Sequence, residues 1–294
     1  VREWLEQGLA GVFYFPPNGN YVSAAQVRAL SDEIHGANPD CVIAIDQEGG
    51  RVQAWGPPHF DAQPSARALG QQGSMAAHSA GQRIGRELRK LGIDLNFAPV
   101  LDVDTRASNP IIGDRSFSAD PQAVVELARD FAEGMASEGV LSCGKHFPGH
   151  GDTSRDSHLE LPVVDRDRTT LAAAELLPFA KLADVLPMMM SAHVVYPALD
   201  PLHAATHSKR IMSSLLRDEL GFDGVLISDD LAMKGIRTAK GDVGAVNDLP
   251  TAATAALQAG CDLVLSAFEH DDHPAMFDAI RRALADGRLD AVWQ

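Results

Sequence analysis

Gly139-Val140-Leu141-Ser142-Cys143-Gly144 runs directly into Lys145-His146-Phe147-Pro148-Gly149-His150-Gly151-Asp152-Thr153-Ser154-Arg155-Asp156-Ser157-His158. The first six residues read as a buried strand. Pro148, Gly149 and Gly151 stop regular structure, so the polar groups that follow sit on a loop at a strand end. Parallel α/β barrels keep their chemistry at that end of their strands. Three imidazoles, two carboxylates and an ammonium fall within these fourteen residues, which is more than a solvated turn needs.

Six further strand-like runs are spread along the chain: Leu9 to Phe15, Cys41 to Ile45, Leu95 to Leu101, Met188 to Val194, Gly224 to Ser228 and Cys261 to Ser266. With Val140 to His146 they make seven. They are nearly continuous in apolar residues rather than alternating, as suits parallel strands covered on both faces. Helix signals lie between them. Asp120 before Pro121 is an N-cap followed by a residue favoured at the first helical position, opening an amphipathic run to about Ser137. Other helix candidates are Ser23 to Ile34, Met75 to Leu91, Thr170 to Ala183, Ser213 to Leu220, Thr251 to Gln258 and Pro274 to Ala285. Strand then helix, repeated, predicts a parallel α/β fold. Loops are expected at Trp55 to Pro58, Ala107 to Gly113 and Pro197 to His207. No linker or internal repeat divides the chain, so residues 1–294 are expected to form a single domain.

The formal net charge of −15 argues against a nucleic-acid backbone or an anionic membrane surface as main partner. Cys41, Cys143 and Cys261 each lie in an apolar run, an odd set that favours a reducing compartment. No apolar stretch is long enough to span a membrane and no signal-peptide pattern is present, so a cytoplasmic protein is expected. The chain begins at Val1 rather than Met, which leaves a removed leader or lipid anchor as the alternative.

The residues of the loop allow three readings. One is a polar turn whose histidines bond backbone. Another is a metal site, for which His146 and His150 have the right separation, although Pro148 and Gly149 rule out the helix that makes such spacing a strong zinc signal. The third is acid/base catalysis, since Asp156 lies two residues from His158 and a carboxylate can fix an imidazole's tautomer and raise its pKa. A second group of acids ends the run Gly224-Val225-Leu226-Ile227-Ser228-Asp229-Asp230. Adjacent strand residues face opposite ways, so one of the two carboxylates points inward, and parity does not say which.

Five segments together, KHFPGHGDTSRDSH at 145–158, IDQEGGRVQ at 45–53, FAPVLDVD at 97–104, GDRSF at 113–117 and GFDGVLISDDLAM at 221–233, resemble the β-N-acetylglucosaminidase branch of glycoside hydrolase family 3. They occur in that family's order across nearly the whole chain. The resemblance implies a (β/α)8 TIM-like barrel whose first strand is missing from this chain or rebuilt. It also implies a retaining exo-β-N-acetylglucosaminidase that removes terminal β-linked N-acetylglucosamine from peptidoglycan- or chitin-derived saccharides through a glycosyl-aspartate intermediate. By the same resemblance Asp229 is the nucleophile, His158 the acid/base with Asp156 as its partner, and Asp46, Arg115, Lys145 and His146 bind the sugar. No metal or organic cofactor is implied, and the expected partner is a small N-acetylglucosamine-containing saccharide.

For Asp230 the expected role is to cap or orient the next turn, and for His150 and Asp152 it is loop structure. Glu48 and Arg51 are expected to support Asp46. Arg115 has the alternative of an ion pair with Asp114 or Asp104. His193 either lines the pocket or is a satisfied core histidine, and Trp55 either stacks on a sugar or packs. One departure from the family concerns substrate contact: where cytoplasmic members carry a second Arg after the double glycine, this chain reads Arg51-Val52-Gln53-Ala54. The rival functions are a β-N-acetylglucosaminide phosphorylase, a non-catalytic saccharide-binding protein, and a metal-dependent hydrolase built on His146, His150 and His158.

Overall fold

The computed structural model describes residues 2–15, 22–154, 161–237, 246, 248–268 and 270–289. It comprises two compact units, one of Val1–Leu101 with Asp114–Gly144 and one of Asp102–Gly113 with Lys145–Gln294.

In the first unit the chain runs α1 (Arg2–Glu6), β1 (Gly11–Tyr14), α2 (Ala24–Ala37), β2 (Val42–Ile45), β3 (Gln47–Gly49), β4 (Val52–Gln53), α3 (Ala66–Gln72), α4 (Ser74–Lys90), β5 (Leu95–Asn96), α5 (Pro121–Ala136) and into the first residues of β6 (Leu141–Phe147). The sheet order is β1-β2-β5-β6, all parallel, with Val12 opposite Ile43, Ala44 opposite Leu95 and Leu95 opposite Leu141. Ile43, Ala44 and Ile45 are all buried although they face alternate sides of the sheet. Burial on both faces is what their unbroken apolar run predicts, and each isoleucine contributes about 1.5–3 kcal/mol.

Helix α5 begins as its sequence signal says. The Asp120 carboxylate accepts the Gln122 N–H at 3.1 Å, Pro121 occupies the first turn, and Val124, Leu127, Ala128, Phe131 and Met135 form the buried stripe. Its partner α4 approaches so closely that a Cβ added at Gly81 would lie 2.0 Å from the Phe131 carbonyl oxygen, and one at Gly134 would lie 2.2 Å from that of His78. Any side chain at either position forces the two helices apart.

In the second unit the end of β6 is followed by α6 (Arg168–Ala173), α7 (Leu177–Leu182), β7 (Met188–Ser191), β8 (Val195–Tyr196), β9 (Asp200–Ala204), a π-helical segment Arg210–Glu219, β10 (Val225–Asp230), α8 (Lys234–Arg237), α9 (Leu249–Ala259), β11 (Leu263–Leu265) and α10 (His273–Ala285). The order is β6-β7-β10-β11, and β10 pairs in parallel with both neighbours, Met188 lying opposite Val225 and Ile227 opposite Leu263. The Ala192 N–H bonds the Phe147 carbonyl at 2.6 Å.

All seven expected strands are present and the fold is parallel α/β. Three details differ from the sequence reading. The expected helix over Thr170 to Ala183 is two short helices, because Pro178 has no N–H to continue the first and instead opens the second. The expected loop Pro197 to His207 contains β9, which pairs antiparallel with β8. Of Leu95 to Leu101 only Leu95–Asn96 is strand, because Pro99 lacks the donor a ladder needs, although Phe97 to Leu101 stay buried.

Candidate active site

Asp46 follows the C-terminal end of β2, and its carbonyl accepts the Ala54 N–H at 3.0 Å, closing the β3–β4 turn. Gln47 next to it is fully buried. Its side chain donates to the Trp55 carbonyl at 2.7 Å and accepts the Trp55 N–H at 2.9 Å. Its backbone exchanges two further bonds with the Asn96 amide, both 2.9 Å. These four bonds satisfy both amide side chains and fix the turn that carries Asp46 and Glu48. Glu48 is buried and takes a two-pronged bond from Arg115, Nε at 2.9 Å and Nη2 at 2.8 Å. Arg115 therefore pairs with Glu48, while Asp114 pairs with Arg51 at 3.0 Å on the surface. Trp55 is packed rather than presented: it is 2% exposed, with the His59 ring 4.8 Å away and the Phe60 ring edge-on at 5.9 Å.

In the second unit the focus is Asp102, which has no exposed surface. Its Oδ2 lies 2.6 Å from His146 Nδ1, and its Oδ1 accepts the backbone N–H groups of His146 at 3.2 Å and His150 at 2.6 Å. Burial alone would raise its pKa. The charge and hydrogen bonds of His146, with the charge of His150, outweigh that and hold the carboxyl below the ordinary range. His146 and Lys145 lie near the end of β6, and both are buried.

The turn after them is held from outside. Asn109 donates to the carbonyls of His150 and Gly151 at 2.8 and 2.9 Å, while its own oxygen accepts from the N–H groups of Ile111 and Ile112. A Cβ at Gly151 would lie 1.6 Å from the Val103 carbonyl oxygen, so only glycine fits there. Asp152 is clamped by Arg166 at 2.7 and 3.1 Å and by Arg106 at 3.2 Å. The two guanidinium groups overcome its burial and keep it ionised well into acid. His150 and Asp152 are thus loop structure, as expected.

Strand β10 ends in the two adjacent acids. Asp230 Oδ1 accepts the N–H groups of Ala232 and Ala267, both at 3.0 Å, so this carboxylate anchors the turn after the strand. The Asp229 Oδ1 accepts the Asp230 N–H at 2.8 Å. His193, two residues beyond β7, is fully buried, with Nδ1 2.8 Å from Thr206 Oγ1 and Nε2 3.1 Å from the Asp230 carbonyl. It is a satisfied core histidine that braces the backbone of β10.

Asp156 and His158 lie outside the described residues. Among the described residues no group of three or more His, Cys, Asp or Glu side chains is placed to hold a metal ion. Sequence reasoning passed over Asp102 and Glu175. The signal for each was an acid inside an apolar run, Val100-Leu101-Asp102-Val103 and Ala172-Ala173-Ala174-Glu175-Leu176-Leu177, which implies a buried carboxyl with a partner. Glu175 receives the Thr105 hydroxyl at 3.0 Å, and burial pushes its pKa up.

Acids, amides and imidazoles thus follow the C-terminal ends of parallel strands in each unit, the layout of an α/β enzyme. Comparison with known proteins supplies the class. Residues 1–291 match the model of the glycosyl hydrolase family 3 N terminal domain. A beta-hexosaminidase of Alkalilimnicola ehrlichii is 44% identical over 95% of this chain and 78% of its own length. One from Bordetella avium is 42% identical over 87% and 73%. Among solved structures, a family 3 beta-N-acetylglucosaminidase from Paenibacillus superposes with a TM-score of 0.91 at 37% identity, covering 99% of this chain, which spans about half, 55%, of that longer one. NagZ from Neisseria gonorrhoeae, solved in complex with N-trifluoroacetyl-D-glucosamine, gives 0.82 at 37% identity over 96% of this chain and 80% of that one. The protein is a glycoside hydrolase. It belongs to glycosyl hydrolase family 3, whose N-terminal domain it matches.

Proposed function

We propose that the protein is a retaining exo-β-N-acetylglucosaminidase acting on peptidoglycan- or chitin-derived saccharides, with a single (β/α)8-type domain and a cytoplasmic role in cell-wall recycling. Asp229 attacks the anomeric carbon. His158, partnered by Asp156, protonates the leaving oxygen and then deprotonates water. Asp46, Arg115, Lys145 and His146 hold the sugar.

The observation that carries this reading is the division of labour in β10. Asp230 Oδ1 is committed to two backbone N–H groups, and that supports giving the displacement to Asp229. Glu48 adds support by fixing the plane of the Arg115 guanidinium. No helix among the described residues is long and apolar enough to cross a membrane.

The test is turnover of an aryl N-acetyl-β-glucosaminide. Asp229→Ala should lose on the order of 10³-fold or more in kcat, and azide should restore part of it as a glycosyl azide of inverted configuration. A loss restricted to Asp230→Asn would exchange the two assignments. His158→Ala should be damaged far more on a disaccharide than on a dinitrophenyl glycoside, where a burst of phenol precedes slow turnover. Product analysis in phosphate buffer separates hydrolysis from phosphorolysis.

A further inference from the structure

Asp102 is an aspartate with no exposed surface that meets His146 and its loop through three donors: His146 Nδ1 at 2.6 Å, His146 N–H at 3.2 Å and His150 N–H at 2.6 Å. Its Oδ1 takes two backbone N–H groups and its Oδ2 faces the imidazole nitrogen, so the carboxylate serves as the acceptor in all three bonds. Two of the three bonds shape the backbone. The third fixes chemistry, because an ionised oxygen at 2.6 Å requires the imidazole hydrogen to sit on Nδ1. In the neutral ring, Nε2 is then an acceptor.

We infer that Asp102 is a positioning residue for sugar binding: it locks His146 in the Nδ1–H tautomer so that Nε2 accepts a hydrogen bond from a hydroxyl of the bound saccharide. The inference rests on the proposed role of His146 as a sugar-binding group and assigns the specific work of its partner. A hydroxyl carries both a hydrogen and lone pairs, so the His146 tautomer decides whether Nε2 receives the hydroxyl hydrogen or donates to its lone pairs. Asp102 thus selects which end of a hydroxyl dipole the site reads. The same carboxylate holds the backbone at 146 and 150, so tautomer and ring position are set together.

The experiment uses the intact protein with ¹⁵N-labelled histidine. His146→Gln identifies the His146 signals among the eleven histidines. In the unmodified protein above pH 8 they should report a hydrogen on Nδ1. Asp102→Asn keeps an oxygen for the two backbone N–H groups but turns an NH2 toward the ring, so the hydrogen should move to Nε2. With an aryl N-acetyl-β-glucosaminide, KM should rise by about 10-fold or more while kcat changes by less than about 3-fold, the pattern of a binding contact shared by ground and transition states. A merely structural Asp102 would move the unfolding midpoint and leave the tautomer and KM unchanged.

An Nε2–H signal from His146 in the unmodified protein overturns the inference, as does an unchanged tautomer or an unchanged KM in Asp102→Asn. Should the variant not fold, the unmodified protein's spectrum still decides. Absence of turnover on any hexosaminide by the unmodified protein would instead strike the functional reading, which the ¹⁵N spectrum does not depend on.

Discussion

Glu48 in the first unit and Asp102 in the second are both buried carboxylates in segments dense with charge, but they are satisfied differently. Glu48 is met by the two-pronged guanidinium of Arg115, a side chain distant in sequence. Asp102 is met by two backbone N–H groups and one imidazole. An acid held by a side chain can be deleted together with its partner. An acid held by backbone cannot, because peptide N–H groups remain whatever the sequence.

The largest effect should follow Asp102→Ala, which removes the buried acceptor of three hydrogen bonds at about 1–3 kcal/mol each, a loss of about 5 kcal/mol in urea unfolding. Adding His146→Gln should recover little, since the backbone N–H groups of residues 146 and 150 still lack the carboxylate. Arg115→Ala should cost about 3–5 kcal/mol by removing the two-pronged partner of the buried Glu48 carboxylate. Here the double variant with Glu48→Gln should recover a good part of the loss. Full recovery in the first cycle, or none in the second, would break the contrast.

A third buried group, an imidazole, sharpens it. Burial and the neighbouring charge of His193 lower the pKa of His207 to about 4. The folded protein therefore favours the neutral ring, while the unfolded chain takes up a proton below about 6.5. The stabilisation is complete above 6.5 and is lost as pH falls toward 4, about 3 kcal/mol in all. His207→Gln should flatten the fall in unfolding free energy between those limits, and an unchanged slope would put the acid sensitivity elsewhere.

The smallest effect calibrates the backbone term. Asp120 accepts one helix N–H at an exposed position, so Asp120→Ala should cost about 1 kcal/mol. A cost near that of Asp102→Ala would mean that exposure does not set the difference.

The seven strands were legible because burial on both faces leaves unbroken apolar runs, and α5 was legible from Asp120-Pro121. The partner choices were not. Arg115 stands beside Asp114 in sequence and pairs with Glu48, 67 residues away, because the fold decides which acid a guanidinium can reach. Asp102 could be read as a buried acid from its apolar neighbours, but nothing local names His146, 44 residues on, as its partner. The β8–β9 hairpin was missed because two- and five-residue strands are too short for a periodic signal. Asp229 and Asp230 could not be told apart by parity, and they differ instead in which backbone groups each carboxylate meets.

Asn109 joins two loops through a single amide whose nitrogen faces two carbonyls and whose oxygen faces two N–H groups. Slow chemical ageing of this side chain to aspartate would set an oxygen against those carbonyls and push the loop after His146 away. The usual route to that damage closes a ring through the nitrogen of the following residue. That residue is Pro110, which has no N–H to give. The amide the turn depends on most is therefore followed by the residue that protects it, and the lifetime of the loop should be set by unfolding rather than by the covalent clock of its asparagine.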